Sequence, residues 1–157
     1  MPSPLGSLLD HIDTRTAVIA GLVGGAAYIA EMEIDLPLFG YNADDLRLLG
    51  RPFVADPVWN RRVGAAIHFA NSANFGIAYA LLAHDRLPGP PWARGVIFAN
   101  IENAALYPLT KFDRFHPGVK DGQIDQYWHP TAFIQAILRH VVFGAVLGAI
   151  YGRFARR

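Results

Sequence analysis

The sequence contains no cysteine and few charged residues. Without thiols, the chain cannot form disulfides, cysteine-ligated zinc sites or iron–sulfur clusters, and it cannot use thiol catalysis. Charged side chains make up 17% of the 157 residues, whereas a typical soluble domain has about 25%. The net charge of +1 provides no basic surface, so nucleic acid is not an expected partner.

Several catalytic and cofactor motifs are also missing. The sequence has no glycine-rich phosphate loop, no His-Glu-x-x-His helix and no nucleophile elbow. The Glu-x-x-His repeat of di-iron bundles is absent as well. No cofactor is therefore evident from motifs, although isolated histidines and glutamates leave a metal or haem open.

The sequence does contain four apolar runs. Hydrophobic residues make up 52% of the chain, and the mean hydropathy is +0.21. The runs cover about residues 17–38, 63–83, 92–109 and 131–151, lengths that suit a hydrocarbon core of about 30 Å. They predict an all-α fold, a single domain over 1–157 that forms a polytopic four-transmembrane-helix up-down bundle. The alternative is a soluble all-α domain with long core helices.

Aromatic, charged and turn-forming residues support these boundaries. Trp59, Trp92 and Trp128 all fall at predicted span ends, as in an interfacial aromatic belt. The connection 84–91 is short, which predicts that the second and third spans are antiparallel neighbours. In the first connection, a short amphipathic turn that carries Leu46 is expected to lie on the membrane surface.

The C-terminal span carries two further signals. Small residues recur every fourth position, and Gly144, Gly148 and Gly152 form a ridge of the kind that packs helices in membranes. This ridge predicts partner helices or a homo-oligomer. Three arginines follow the span, which favours a location of both termini in the cytoplasm. They are Arg153, Arg156 and Arg157.

Ionisable residues inside the spans are the most informative feature. One such residue from each span is predicted to reach the same region: Glu31, His68, Glu102 and His140. With a rise of 1.5 Å per residue, all four fall in the half of the bundle that carries the two long connections. Burying an ionisable group at membrane depth costs free energy, so such a group usually has a polar partner or a functional role.

Several interpretations of this convergence stay open. As catalytic residues, the four side chains would perform acid–base chemistry, an isomerisation or cyclisation, on a lipid-like or isoprenoid substrate. A purely structural polar network, in which Arg139 pairs with Glu31 or Glu102, would suit a non-catalytic subunit or scaffold. The same four residues would be the ligands of a metal or haem. Transport is a further alternative.

Five additional residues are assigned to substrate binding in the catalytic interpretation. Asn71, Asn103 and Arg139 are chosen because they lie beside the four ionisable residues. Asp35 is expected to line an entrance, one turn closer to the surface than Glu31. The fifth predicted substrate-binding residue is Trp128, which lies at a span boundary.

The second span carries a resemblance to a known group. It contains Gly-x-x-x-His at 64–68 and Phe-Gly-x-x-Tyr-x-x-Leu at 75–82, and the sequence Pro-Trp-Ala-Arg-Gly follows at 91–95. These features resemble a broad group of small uncharacterised four-span bacterial inner-membrane proteins. The resemblance covers the first three spans. It implies the fold, an inner-membrane location and membrane lipids as partners, but no activity.

Overall fold

The structure, a computed structural model, describes residues 11–156. Within these residues every regular element is helical, so the all-α prediction is confirmed. Arg157, one of the arginines used to predict orientation, lies outside the described residues. The elements are α1 (Thr14–Phe39), α2 (Asp45–Gly50), α3 (Pro57–Leu82), α4 (Pro91–Leu106), a 3-10 helix (Tyr107–Phe115), α5 (Pro117–Lys120) and α6 (Pro130–Phe154).

Capping residues and prolines determine where the long helices begin. The carboxylates of Asp13 and Asp56 accept backbone N–H groups in the first turns of α1 and α3. Pro57, Pro91 and Pro130 stand at the starts of α3, α4 and α6, where a missing N–H costs no hydrogen bond. Pro57 therefore starts α3 rather than breaking it, and the helix begins earlier than residue 63.

The four long helices are antiparallel to their packed neighbours and lie in the order α3, α1, α6, α4. Glycines mediate the close contacts: Gly21 lies against Gly76, and Gly95 lies against Gly144. The absence of side chains lets the helix backbones approach closely. Gly148 and Gly152 both lie against Pro91 at the start of α4. The ridge on α6 thus packs against α4 within the chain, and the partner helices or homo-oligomer expected from this ridge stay a prediction.

The second and third spans, which were predicted to be antiparallel neighbours, do not pack closely along their length. No extensive packing links α3 and α4 in the described part of the chain, because α1 and α6 lie between them. Near their short connection, the Phe98 ring of α4 lies 5.6 Å from Phe75 and 5.7 Å from Tyr79. The short connection therefore holds one end of the two helices together and leaves the other end open.

The first connection also differs from the expectation. Leu46 of α2 is buried, and Gly50 packs against Asn60 at the start of α3. Gly64 leaves room for this contact, because a Cβ at Gly64 would overlap the backbone of Leu46. α2 therefore packs on α3 instead of lying on the surface.

Two helices, α1 and α6, are long and apolar enough to cross a membrane. This observation is weak by itself, because a core helix of a soluble protein passes the same test. Only 39% of the apolar window of α1 and 33% of that of α6 is buried inside the protein. Most residues in these two apolar windows are therefore not buried inside the protein.

Candidate functional site

A cleft of about 420 Å³ lies between α3 and α4, on the side where these helices do not pack. α1 and α6 contribute Tyr28, His140 and Phe143 to its wall. The volume falls within the range of small-molecule pockets. Ten residues line the cleft: Tyr28, His68, Asn71, Ser72, Asn74, Phe75, Glu102, Leu106, His140 and Phe143.

An imidazole–carboxylate pair connects two walls of the cleft. His140 Nε2 lies 3.3 Å from Glu102 Oε2. His140 Nδ1 lies 2.7 Å from the carbonyl oxygen of Ala136, which only accepts hydrogen bonds. Nδ1 therefore carries a proton and donates it to Ala136. Nε2 faces the Glu102 carboxylate, and the two groups form an ion pair when the imidazole is protonated.

A second histidine is held by the backbone of α1. His68 Nε2 lies 3.1 Å from the carbonyl oxygen of Gly25, so Nε2 is the donor and Nδ1 keeps a lone pair when the ring is neutral. Gly25 is small, which allows this approach: a Cβ there would lie 3.3 Å from His68 Nε2 and would overlap Ser72. The contact fixes the ring of His68 at the cleft wall.

Tyr28 contacts both histidines. Its ring centroid lies 5.0 Å from that of His68 and 5.3 Å from that of His140. Its hydroxyl donates a hydrogen bond of 2.8 Å to Asp45 Oδ2, which is contributed by α2. Tyr28 therefore connects the cleft to a second polar cluster deeper in the protein.

This second cluster surrounds Arg139, whose side chain is only 1% exposed. Arg139 Nε donates to Asp35 Oδ2 over 2.6 Å, and Nη1 donates to Asp45 Oδ2 over 2.6 Å. Nη1 also donates to the carbonyl oxygen of Ala43 over 2.6 Å. Glu31 Oε2 is more distant, at 3.9 Å from Arg139 Nε. The arginine is thus held mainly by two aspartates, and the predicted partner Glu31 is a peripheral one.

The structure brings together part of the predicted site. His68, Glu102, His140 and Asn71 line one cleft, whereas Glu31 lies in the Arg139 cluster and not at the cleft. Three of the four ionisable residues assigned to the spans thus meet at the cleft, and α1 contributes Tyr28 there instead of Glu31.

The other predicted substrate-binding residues lie away from the cleft. Asp35 does not line an entrance, because it is 1% exposed and bound to Arg139. Asn103 is buried, and Arg139 is held by the aspartates. Trp128 stacks on Tyr107 with the Lys111 ammonium over its ring, outside the cleft.

Sequence reasoning missed Tyr28 and Asp45. Tyr28 lies one helical turn before Glu31, so its spacing places it near the same face of α1. No sequence spacing predicts the position of Asp45. It lies at the start of α2, and only tertiary packing brings it to Tyr28 of α1.

The metal and haem alternative stays a prediction. Among residues 11–156, no group of three His, Asp or Glu side chains is arranged to hold a metal ion. Two of the proposed ligand nitrogens already have backbone partners, His68 Nε2 with Gly25 and His140 Nδ1 with Ala136.

Comparison with known proteins gives one match. No curated protein and no solved structure matches the chain. The model of a family of unknown function (DUF6789) matches residues 12–157. Because the match covers nearly the whole sequence, the chain belongs to this family of unknown function, DUF6789.

Proposed function

We propose that this protein is a four-span membrane protein in which α1, α3, α4 and α6 cross the bilayer. The distribution of side chains supports the proposal. Arg139, Asp35 and Gln135 are buried, while apolar side chains such as Ile34 and Leu38 are exposed. A lipid environment accepts such an apolar surface, and a polar interior suits buried groups that find partners within the bundle.

The length of α4 sets its position in this arrangement. Its 16 residues span about 24 Å, less than a typical hydrocarbon core. The 3-10 helix that follows exposes Leu109, Phe112 and Phe115, so it continues the apolar surface to the membrane boundary. Four spans place both termini on one side, and the arginines after α6 favour the cytoplasm of a bacterial inner membrane.

The function we propose is acid–base chemistry on a lipid-like or isoprenoid molecule in the cleft. The observation that carries it is the contact of 3.3 Å between His140 Nε2 and Glu102 Oε2. The pair lies beside the apolar walls formed by Phe75, Leu106 and Phe143. An apolar pocket with a few convergent polar groups is typical of a small-molecule site.

The proton donors and acceptors that line the cleft suit an isomerisation. In this reaction the Glu102 carboxylate, beside His140, accepts a proton from one carbon of the substrate and returns a proton to another carbon. The double bond moves and no redox partner is consumed. His68 Nδ1 offers a second proton acceptor, and Asn71 provides a hydrogen-bonding group for orientation.

Deuterium exchange tests this chemistry without knowledge of the substrate. Purified protein in vesicles of bacterial lipid extract is incubated in D₂O, and lipid extracts are analysed by mass spectrometry for carbon-bound deuterium. We expect the wild type to deuterate at least one lipid species. Glu102→Gln should slow this incorporation by about 10²–10⁴-fold, the usual contribution of an acid–base group.

A matched substitution controls for loss of a carboxylate in general. Glu33 pairs with Arg61 outside the cleft, so Glu33→Gln should retain the wild-type exchange rate. His140→Gln provides a second test if Glu102→Gln fails to fold, as judged by circular dichroism. The proposal is rejected if the wild type deuterates no lipid, or if folded Glu102→Gln and His140→Gln variants both exchange at the wild-type rate.

The membrane topology has its own test, which uses the absence of cysteine. Single cysteines at Gln126 and at Pro88 are exposed to a membrane-impermeant maleimide in intact cells. We expect labelling at position 126 and none at 88 until the cells are permeabilised. Release of the protein from membranes by alkaline carbonate would refute the four spans, and the reverse labelling pattern would refute the orientation.

A further inference from the structure

A second cleft, separate from the one between α3 and α4, carries three arginines. It has a volume of about 370 Å³ and lies where α2 meets the first turns of α3. Its polar lining comes from Arg47, Arg61 and Arg62. Its apolar lining comes from Pro57, Val58 and Ala65.

The three arginines of this cleft differ in their ion pairing. Asp44 accepts from Arg47 over 3.2 Å and from Arg61 over 2.9 Å, and Glu33 also pairs with Arg61. Asp44 and Glu33 thus pair with two of the three guanidinium groups, and the nearby Asp56 carboxylate accepts from the backbone N–H groups of Val58 and Trp59. Within the described residues, no carboxylate pairs with Arg62, whose guanidinium lies 4.8 Å from the centre of the Trp59 ring. The Arg62 guanidinium therefore stacks on Trp59 and forms no ion pair within the described residues.

The position of the cleft indicates the kind of anion. Trp59 and Val58 are exposed next to the arginines, at the end of α3 that carries the long connections. In the proposed bilayer this end lies at the level of the lipid headgroups, where tryptophan and arginine are typical. The apolar part of the lining would then contact the upper part of an acyl chain.

We propose that this arginine cleft binds the phosphate group of an anionic glycerophospholipid. The inference rests on the proposed membrane location but not on the proposed chemistry. Arginine presents a planar set of donors that matches phosphate oxygens in a bidentate geometry. Arg62 contributes a guanidinium that forms no ion pair within the described residues. Asp44 pairs with Arg47 and Arg61 and so orients their guanidinium groups.

Native mass spectrometry of the detergent-solubilised full chain provides the test. The protein is titrated with dioleoylphosphatidylglycerol and, separately, with dioleoylphosphatidylcholine. We expect one phosphatidylglycerol to bind more tightly than phosphatidylcholine. Arg62→Ala should weaken phosphatidylglycerol binding by about 5-fold, as expected for one basic residue at a lipid surface, and leave phosphatidylcholine binding unchanged.

Arg114→Ala is the matched control. Arg114 is exposed and lies 4.8 Å from the centre of the Phe115 ring, the same distance as in the Arg62–Trp59 pair. It should not alter binding of either lipid. An equal loss with Arg114→Ala would overturn the site, because surface charge alone would then attract the lipid. No loss with Arg62→Ala would also overturn it, because Arg62 would then not contribute to lipid binding.

Two further arms separate this proposal from its alternatives. Millimolar inorganic phosphate that fully displaces phosphatidylglycerol would overturn the lipid assignment in favour of a free phosphate. Glu102→Gln should bind phosphatidylglycerol as the wild type does, whether or not it loses deuterium exchange. A loss of phosphatidylglycerol binding in folded Glu102→Gln would contradict the separation of the two clefts.

Discussion

Replacing Arg139 with glutamine should strongly destabilise the helix bundle. The guanidinium bridges α1 and α2 from its position on α6, through Asp35 and Asp45. Arg139 and Asp35 are each 1% exposed, so neither charge has access to solvent. Arg139→Gln leaves two carboxylates in the interior without their common partner.

The magnitude follows from the burial of the pair. Removal of one partner of a buried ion pair typically costs about 3–5 kcal/mol, because the other charge stays buried and unpaired. An exposed pair of similar geometry provides the comparison: Arg51 Nη2 lies 2.6 Å from Asp121 Oδ2, and the two side chains are 19% and 32% exposed. Arg51→Gln should cost no more than about 1 kcal/mol.

The assay is reversible unfolding in mixed micelles by sodium dodecyl sulfate, followed by circular dichroism. The free energy of unfolding is compared among the wild type, Arg139→Gln and Arg51→Gln. A loss below about 1 kcal/mol for Arg139→Gln, equal to that for Arg51→Gln, would refute the reasoning, which assigns the difference to burial.

A double variant isolates the pair itself. Arg139→Met combined with Asp35→Leu removes both charges, and it should lose less stability than the sum of the two single changes. Strict additivity of the single losses would show that the two side chains do not depend on each other.

Two other predictions concern packing and pH. Gly95→Ala should lower the free energy of unfolding by about 1–3 kcal/mol, because its Cβ would overlap the carbonyl oxygen of Gly144; Ala104→Leu, on an exposed position of the same helix, should have little effect, and equal losses would contradict the close contact. The pKa of Asp13 is lowered to about 2, mainly because the backbone N–H of Thr16 donates to its carboxylate. The stability lost in Asp13→Ala should therefore be constant above the ordinary value of 3.8 and shrink as the pH falls towards 2; a loss that persists below pH 2 would contradict this assignment.

The candidate site was predictable only in part. Residue counts and a rise of 1.5 Å per residue predict the height of each side chain along its helix. This was enough to predict that one cleft is lined by His68, Asn71, Glu102 and His140. Height does not determine which side of a helix faces a given neighbour. Glu31 has a suitable height, but it lies beside Arg139 instead of facing the cleft.

The connections show a second limit of sequence reasoning. The amphipathic pattern of α2 predicted a surface position, yet Leu46 is buried against α3 because Gly64 lacks a side chain. Asp45 then lies within reach of Tyr28 and Arg139. A single glycine more than ten residues away thus contributes to the environment of both polar clusters.

The sequence by itself determined the helical segments, because apolar runs, capping carboxylates and prolines act on neighbouring residues. Only the tertiary structure decided which polar groups meet. Arg139 and His140 are consecutive on α6, but successive side chains on a helix point about 100° apart. Since α6 lies between α1 and α4, Arg139 binds Asp35 in the interior and His140 contacts Glu102 at the cleft.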